Sequence, residues 1–249
     1  LTEHDGGTAV INQFWYGNTA HMNLHDGFGN MGAIYQRSYM SNAWMDLAGT
    51  ENWAAICQHF FGYHNAFVQI TGYDNGFNKY YDMYGPSSPW FVPFNPGYYC
   101  GGQYFKVWNE IYYDPTSMVH QEGFCQWGEV YINGGANNRV SIFQEGDCCS
   151  CGACGGCVNN VAITDIYDGV CNTTAQYQNG QRNFSFIDIF NADFGKANTF
   201  QVGVENIANI QQFNGEANWA GVLQYGDNHN AHISQTGTWN QATTNQFNW

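Results

Sequence analysis

Between residues 208 and 235 the side chains alternate in kind. Ala208, Ile210 and Gln212 fall on every second position, with Asn209 and Gln211 between them. The same triplet returns as Ala220, Val222, Gln224 and again as Ala231, Ile233, Gln235. Successive side chains of an extended strand point to opposite faces, so each triplet lines one face of a short strand. Gly215, Gly226 and Gly237 follow the triplets, and Asn218, Asn230 and Asn240 come next. Both residue types tolerate positive φ and predict turns. The columns advance by 10 to 12 residues, so a strand–turn–strand–turn unit spans 22 or 23.

The period recurs near the N-terminus. Ile11, Ile34 and Ile56 keep step with Gln13, Gln36 and Gln58. A second set runs between them: Ala20, Ala43, Ala66; Met22, Met45, Val68; Leu24, Leu47, Ile70. Asn18, Asn42 and Asn65 close the first half-unit, and Asn30, Asn52 and Asn75 the second. Self-similarity at this period predicts a repeat architecture. The expected fold is all-β, a β-solenoid of stacked two-strand coils about 4.8 Å apart. Stacking sets each Gln over the next Gln and each Asn over the next Asn, where amides donate and accept along the column. The Ile, Met, Val, Leu, Ala and Gln columns are thus the expected core ladder. Asn18, Asn42, Asn65, Asn218, Asn230 and Asn240 are the expected turn ladder.

The pattern I-x-Q-x(1,2)-G-x(2,3)-N, with Ala one or two residues on, resembles the curlin repeat of bacterial curli fibres. The likeness is close over Ile210–Ala242 and clear over Ile11–Asn75. It is looser over Val119–Gln144 and Val158–Asn206, where Val161–Ile166 and Phe184–Ile189 alternate but exchange Gln for Asp or an aliphatic. The resemblance implies a secreted, cell-surface subunit that polymerises into amyloid-like filaments of a biofilm matrix or of adhesion. Its main partner would be itself, with a nucleator or secretion channel and extracellular polysaccharide as further partners. No cofactor is implied and no enzymatic activity. The alternative is a monomeric secreted solenoid that binds a polysaccharide or a surface.

Two stretches depart from the repeat. All five prolines lie between residues 86 and 115, amid many aromatics. Proline cannot donate to a strand ladder, so this stretch is not solenoid interior. The expected organisation is a lead over 1–8, a first block over 9–79, a Pro/aromatic insert over 80–117 and a second block over 118–249. The second block carries a Cys-rich loop at 147–157 with Cys148, Cys149, Cys151, Cys154 and Cys157. The spacing of Cys151, Cys154 and Cys157 would also suit a metal. Nine cysteines and a start at Leu1 without Met suggest a processed, exported chain. Disulfides drawn from those five, Cys100, Cys125 and Cys171 are therefore the expectation, with metal as the rival.

Charge narrows the partners. Six basic side chains against 20 acidic ones give a net charge of −14, which leaves no basic patch for nucleic acid. Stacking would bring together acid pairs such as Asp165 and Asp188, but no nucleophile or phosphate loop accompanies them. His21, His59, His64, His229 and His232 read as scattered outward or turn histidines. Asn172-Thr-Thr174 and Asn183-Phe-Ser185 match the glycosylation acceptor pattern.

Overall fold

The computed structural model describes residues 8–25, 27–50, 52–71, 117–134, 138–146, 160–167, 170–191, 193–214 and 216–248. Every regular element among them is a strand. Nine strands form one sheet. In order they are β1 (Thr8–Phe14), β3 (Met31–Tyr39), β5 (Trp53–Gly62), β7 (Ser117–Phe124), β9 (Arg139–Gly146), β11 (Thr173–Gln181), β13 (Lys196–Val204), β15 (Trp219–Tyr225) and β17 (Gln241–Phe247). The second sheet has eight. They are β2 (Thr19–Leu24), β4 (Asn42–Leu47), β6 (Asn65–Gln69), β8 (Trp127–Ile132), β10 (Val161–Ile166), β12 (Phe184–Asp188), β14 (Ile207–Gln212) and β16 (Asn230–Gln235).

Neighbours within each sheet run parallel, and each coil contributes one strand to each sheet. The β-solenoid expected from the repeat is thus the fold. Among the described residues it comprises eight two-strand coils followed by β17 as a ninth strand of the first sheet.

Alternation explains why these segments extend. Along β10 the side chains are half-buried and buried in turn, as period-two patterning requires. The inward positions of both sheets form one cluster reaching from Leu24 to Ile233. Ile34, Met45, Leu47, Ile56, Val68 and Ile70 are fully enclosed, whereas Ile11 is half-exposed because β1 is an outermost strand. The apolar columns are not uniform. Ile142 is followed across the sheet by Gln176 and Thr199 before Val222 restores the aliphatic. Thr199 satisfies itself against Ser185 of the opposite sheet, with the two hydroxyls 2.5 Å apart.

The strands on either side of residues 72–116 adjoin one another. Ile56 of β5 pairs with Val119 of β7, and Val68 of β6 pairs with Val130 of β8. Ser117, placed in the insert by sequence, begins β7. Asn75, Gly215, Cys100, Cys148, Cys149, Cys151, Cys154 and Cys157 lie outside the described residues. Two cysteine expectations are corrected: Cys125 and Cys171 are thiols and not disulfide halves. Both occupy turn positions with φ of 52° and 61°, one residue before a buried amide, where the chain needs a left-handed corner. Cys57, a half that the sequence did not single out, is disulfide-bonded.

Candidate functional site

Nine glutamines, one from each strand of the first sheet, stand in a single column. Gln13, Gln36, Gln58, Gln121, Gln144, Gln178, Gln201, Gln224 and Gln246 are in mutual register. Each Nε2 donates to the next Oε1 at 2.7–3.0 Å, without a break from Gln13 to Gln246. From Gln36 onward the second N–H crosses to the other sheet. Gln58 donates to Asn42 O, Gln121 to Asn65 O, Gln201 to Phe184 O and Gln246 to Asn230 O, all at 2.8–2.9 Å. One side chain therefore links its coil upward and ties the two sheets together. With one acceptor and both donors engaged, a fully buried amide carries no unpaired group.

The turns carry a second kind of ladder. At one corner Asn18 Oδ1 accepts from Ser41 N, Asn160 from Asn183 N, Asn183 from Asn206 N and Asn206 from His229 N. At the other, Asn30 accepts from Asn52 N and Asn218 from Asn240 N. Each cap thus satisfies a backbone donor of the next coil. The structure separates the expected turn asparagines. Asn18, Asn218 and Asn240 are caps, whereas Asn42, Asn65 and Asn230 lie one residue later, as the first residues of β4, β6 and β16. Asn42 and Asn65 hydrogen-bond to each other on the outside, at 3.1 Å. The cap positions beside them belong to Ser41, His64 and His229. The spacing held the clue: Asn18 to Asn42 is 24 residues, while Ala20 to Ala43 is 23.

The second sheet has no equivalent glutamine run. Leu24 pairs with Leu47, and Ile132 with Ile166, in the column where Gln212 pairs with Gln235. Gln212 donates to Gln235 Oε1 at 3.2 Å and to Lys196 O at 2.9 Å, but its own Oε1 has no partner. Its neighbour on that side is Ile189, which follows the Asp188–Gln211 pair.

Outward positions answer the remaining expectations. His21 and His232 are outward, and His229 is a corner residue, but His59 and His64 are buried, correcting their surface assignment. His64 fills a cap position and meets His59 O through Nε2 at 3.1 Å. Asn172 and Asn183 are buried caps, so the folded coil withholds both glycosylation motifs. An aromatic stack unforeseen from sequence runs Phe143, Tyr177, Phe200, with ring centroids 5.2 and 4.6 Å apart. Among the described residues no group of His, Cys, Asp and Glu could hold a metal. No helix among them is long and apolar enough to cross a membrane.

Asp165 and Asp188 are directly paired across β10 and β12. Burial, then the Asp188 charge, then Glu129, push the Asp165 carboxyl up to about 6. Burial raises Asp188 as well, and the Asp165 charge raises the Tyr167 hydroxyl. A carboxyl raised in the folded state favours folding when protonated, so its contribution is present at acid pH and lost as pH climbs past about 6. The urea midpoint is expected to fall between pH 4.5 and 7.5. Asp165→Asn should raise the midpoint at pH 7.5 and flatten that slope; an unchanged slope would assign the pH dependence elsewhere.

The ladders end on open edges. Among the described residues β1 and β2 at one end, and β17 and β16 at the other, have a strand on one side only. Each presents a row of backbone donors and acceptors ready to pair.

Residues 203–237 match the family model of the curlin associated repeat. The matched stretch takes in β14, β15 and β16 with the cap at Asn206 and the ladder residue Gln224. The curlin repeat is a structural unit rather than a catalytic one, which suits columns whose polar atoms are occupied in holding coils together. The coil before the match aligns to it by backbone register: Ala197 with Ala220, Thr199 with Val222, Gln201 with Gln224. No curated protein and no solved structure matches the chain.

Proposed function

We propose that the chain is a structural subunit of an extracellular amyloid-like filament, in a biofilm matrix or in adhesion, which assembles by end-to-end stacking of solenoid coils. The observation that carries this is the glutamine column. It runs unbroken through all nine strands of the first sheet, with an acceptor exposed at the β1 end and a donor at the β17 end. A second copy stacked on either end continues the same chain of amides. The net charge of −14 keeps filaments apart laterally.

The alternative is a monomeric secreted solenoid that binds a polysaccharide or a surface. The Phe143–Tyr177–Phe200 stack is the feature in its favour, since flat rings suit sugar faces. Electron cryo-microscopy in non-reducing buffer separates the two readings. Filaments with a layer line near 4.8 Å are expected. Discrete monomers under polymerising conditions would overturn the filament reading and favour the binder.

A further inference from the structure

Among the described residues the two sheets do not end level: the first has nine strands and the second eight. This matters for how copies join, an inference that rests on the filament reading above. If β17 of one copy stacked on β1 of the next, the first sheet would be continuous. The second would not, because β16 and the next copy's β2 would be separated by an empty strand position. Two buried edges would then face each other unpaired, which is costly.

We infer that copies join by strand exchange: β17 of one copy takes the place of β1 in the next, pairs with that copy's β3, and brings β16 into register with its β2. Three observations support this. The first is sequence. β1 reads T-A-V-I-N-Q-F and β17 reads Q-A-T-T-N-Q-F, with Ala, Asn, Gln and Phe at the same positions. No other strand of the first sheet repeats the N-Q-F ending. By column, Ala242 replaces Ala9, Asn245 replaces Asn12, Gln246 replaces Gln13 and Phe247 replaces Phe14. Phe247 would then meet the Tyr35 ring that Phe14 meets at 5.9 Å.

The second is the inter-sheet hydrogen bond. Each ladder glutamine donates to the first residue of the second-sheet strand one coil earlier, as Gln58 does to Asn42 O and Gln246 to Asn230 O. Gln13 has a bond only to Gln36, because no coil precedes it among the described residues. Gln246 placed in the Gln13 position arrives with that crossing bond already made. The third is the match of the second-sheet edges. Bringing β16 against β2 puts Ala231 over Ala20, His232 over His21 and Ile233 over Met22. Displacing β1 exposes little, since Ile11 and Phe14 are each nearly half-exposed already.

The test is the axial rise per subunit in filaments of the full chain. Exchange advances each copy by eight strand spacings, about 38 Å, whereas direct stacking advances it by nine, about 43 Å, at about 4.8 Å each. A matched pair of variants checks the same point without depending on resolution. Asn12→Pro and Asn245→Pro place the same ring at the same column of the two strands. Asn245→Pro is expected to slow filament growth at least about tenfold, because proline disrupts a paired strand. Asn12→Pro is expected to grow within about twofold of the parent, because β1 leaves the stack. A rise of about 43 Å, or equal effects of the two variants, would overturn exchange and leave the filament reading intact. Absence of filaments in the parent protein would overturn both.

Discussion

Gln201→Leu is expected to lower stability by about 3–5 kcal/mol, taking about 1–3 kcal/mol for each stripped polar group less the apolar gain. Gln201 is fully buried inside the nine-residue column, between Gln178 and Gln224. Removing its amide leaves Gln178 Nε2 without this acceptor and Gln224 Oε1 without this donor, and costs Phe184 O one donor. Gln178 and Gln224 are fully buried, so neither stranded amide has water to fall back on. Gln212→Leu is the matched control on the opposite sheet. There the column is Leu and Ile up to Ile189, and the Gln212 Oε1 is already without a partner. Replacement removes that burden while costing Gln235 and Lys196 O one donor each. The net change should lie within about 1 kcal/mol. Urea unfolding of the two variants decides the matter; equal losses would mean that the amide column is not what binds the coils. Filament growth should follow the same order.

The contrast between those two glutamines shows what the sequence made legible. The coil period, the strand–turn alternation and the register of Ile11, Ile34 and Ile56 could be read directly, because backbone pairing forces equivalent residues to recur at one spacing. Gln13, Gln36 and Gln58 could be aligned for the same reason. The repeat does not mark which sheet a triplet belongs to. Gln212 and Gln224 look alike in sequence, yet one starts a two-residue run and the other continues a nine-residue one. Within the looser coils, Gln144, Gln178 and Gln201 extend the column although Gln176 and Thr199 displace the flanking aliphatic. The caps misled for a different reason. Several residue types can accept a backbone N–H at a corner, so Ser41 and His64 interrupt the asparagines, while Asn42 and Asn65 lie one step away. Register to a single residue decides whether an amide caps a coil or faces solvent, and only the 24-residue step from Asn18 betrayed the slip.

Gly203→Ala is expected to cost about 3 kcal/mol or more, the sum of a strained backbone and a steric clash. Glycine stands two residues after the ladder glutamine in five successive coils: Gln121–Gly123, Gln144–Gly146, Gln178–Gly180, Gln201–Gly203 and Gln224–Gly226. At Gly203 φ is +125°, a conformation that side chains disfavour. A Cβ there would come within 2.0 Å of Gly226 O in the next coil. That oxygen also accepts from Asn206 Nδ2 at 2.7 Å, so moving it away loosens the neighbouring cap. The clash cannot be relieved locally, because Gly180 has the same relation to Gly203 O on the other side. Gly221→Ala is the control in the adjoining strand. Its nearest contact would be Trp219 at 3.4 Å, ordinary packing, so the loss of chain entropy on folding is reduced without a clash. That variant should match or slightly exceed the parent in thermal stability. Comparable melting curves for Gly203→Ala and Gly221→Ala would show that the corner tolerates a side chain and that coil spacing is set elsewhere. A steep loss confined to Gly203→Ala would place the limit on coil-to-coil approach at the glycine column, with the glutamines holding together what the glycines allow to come close.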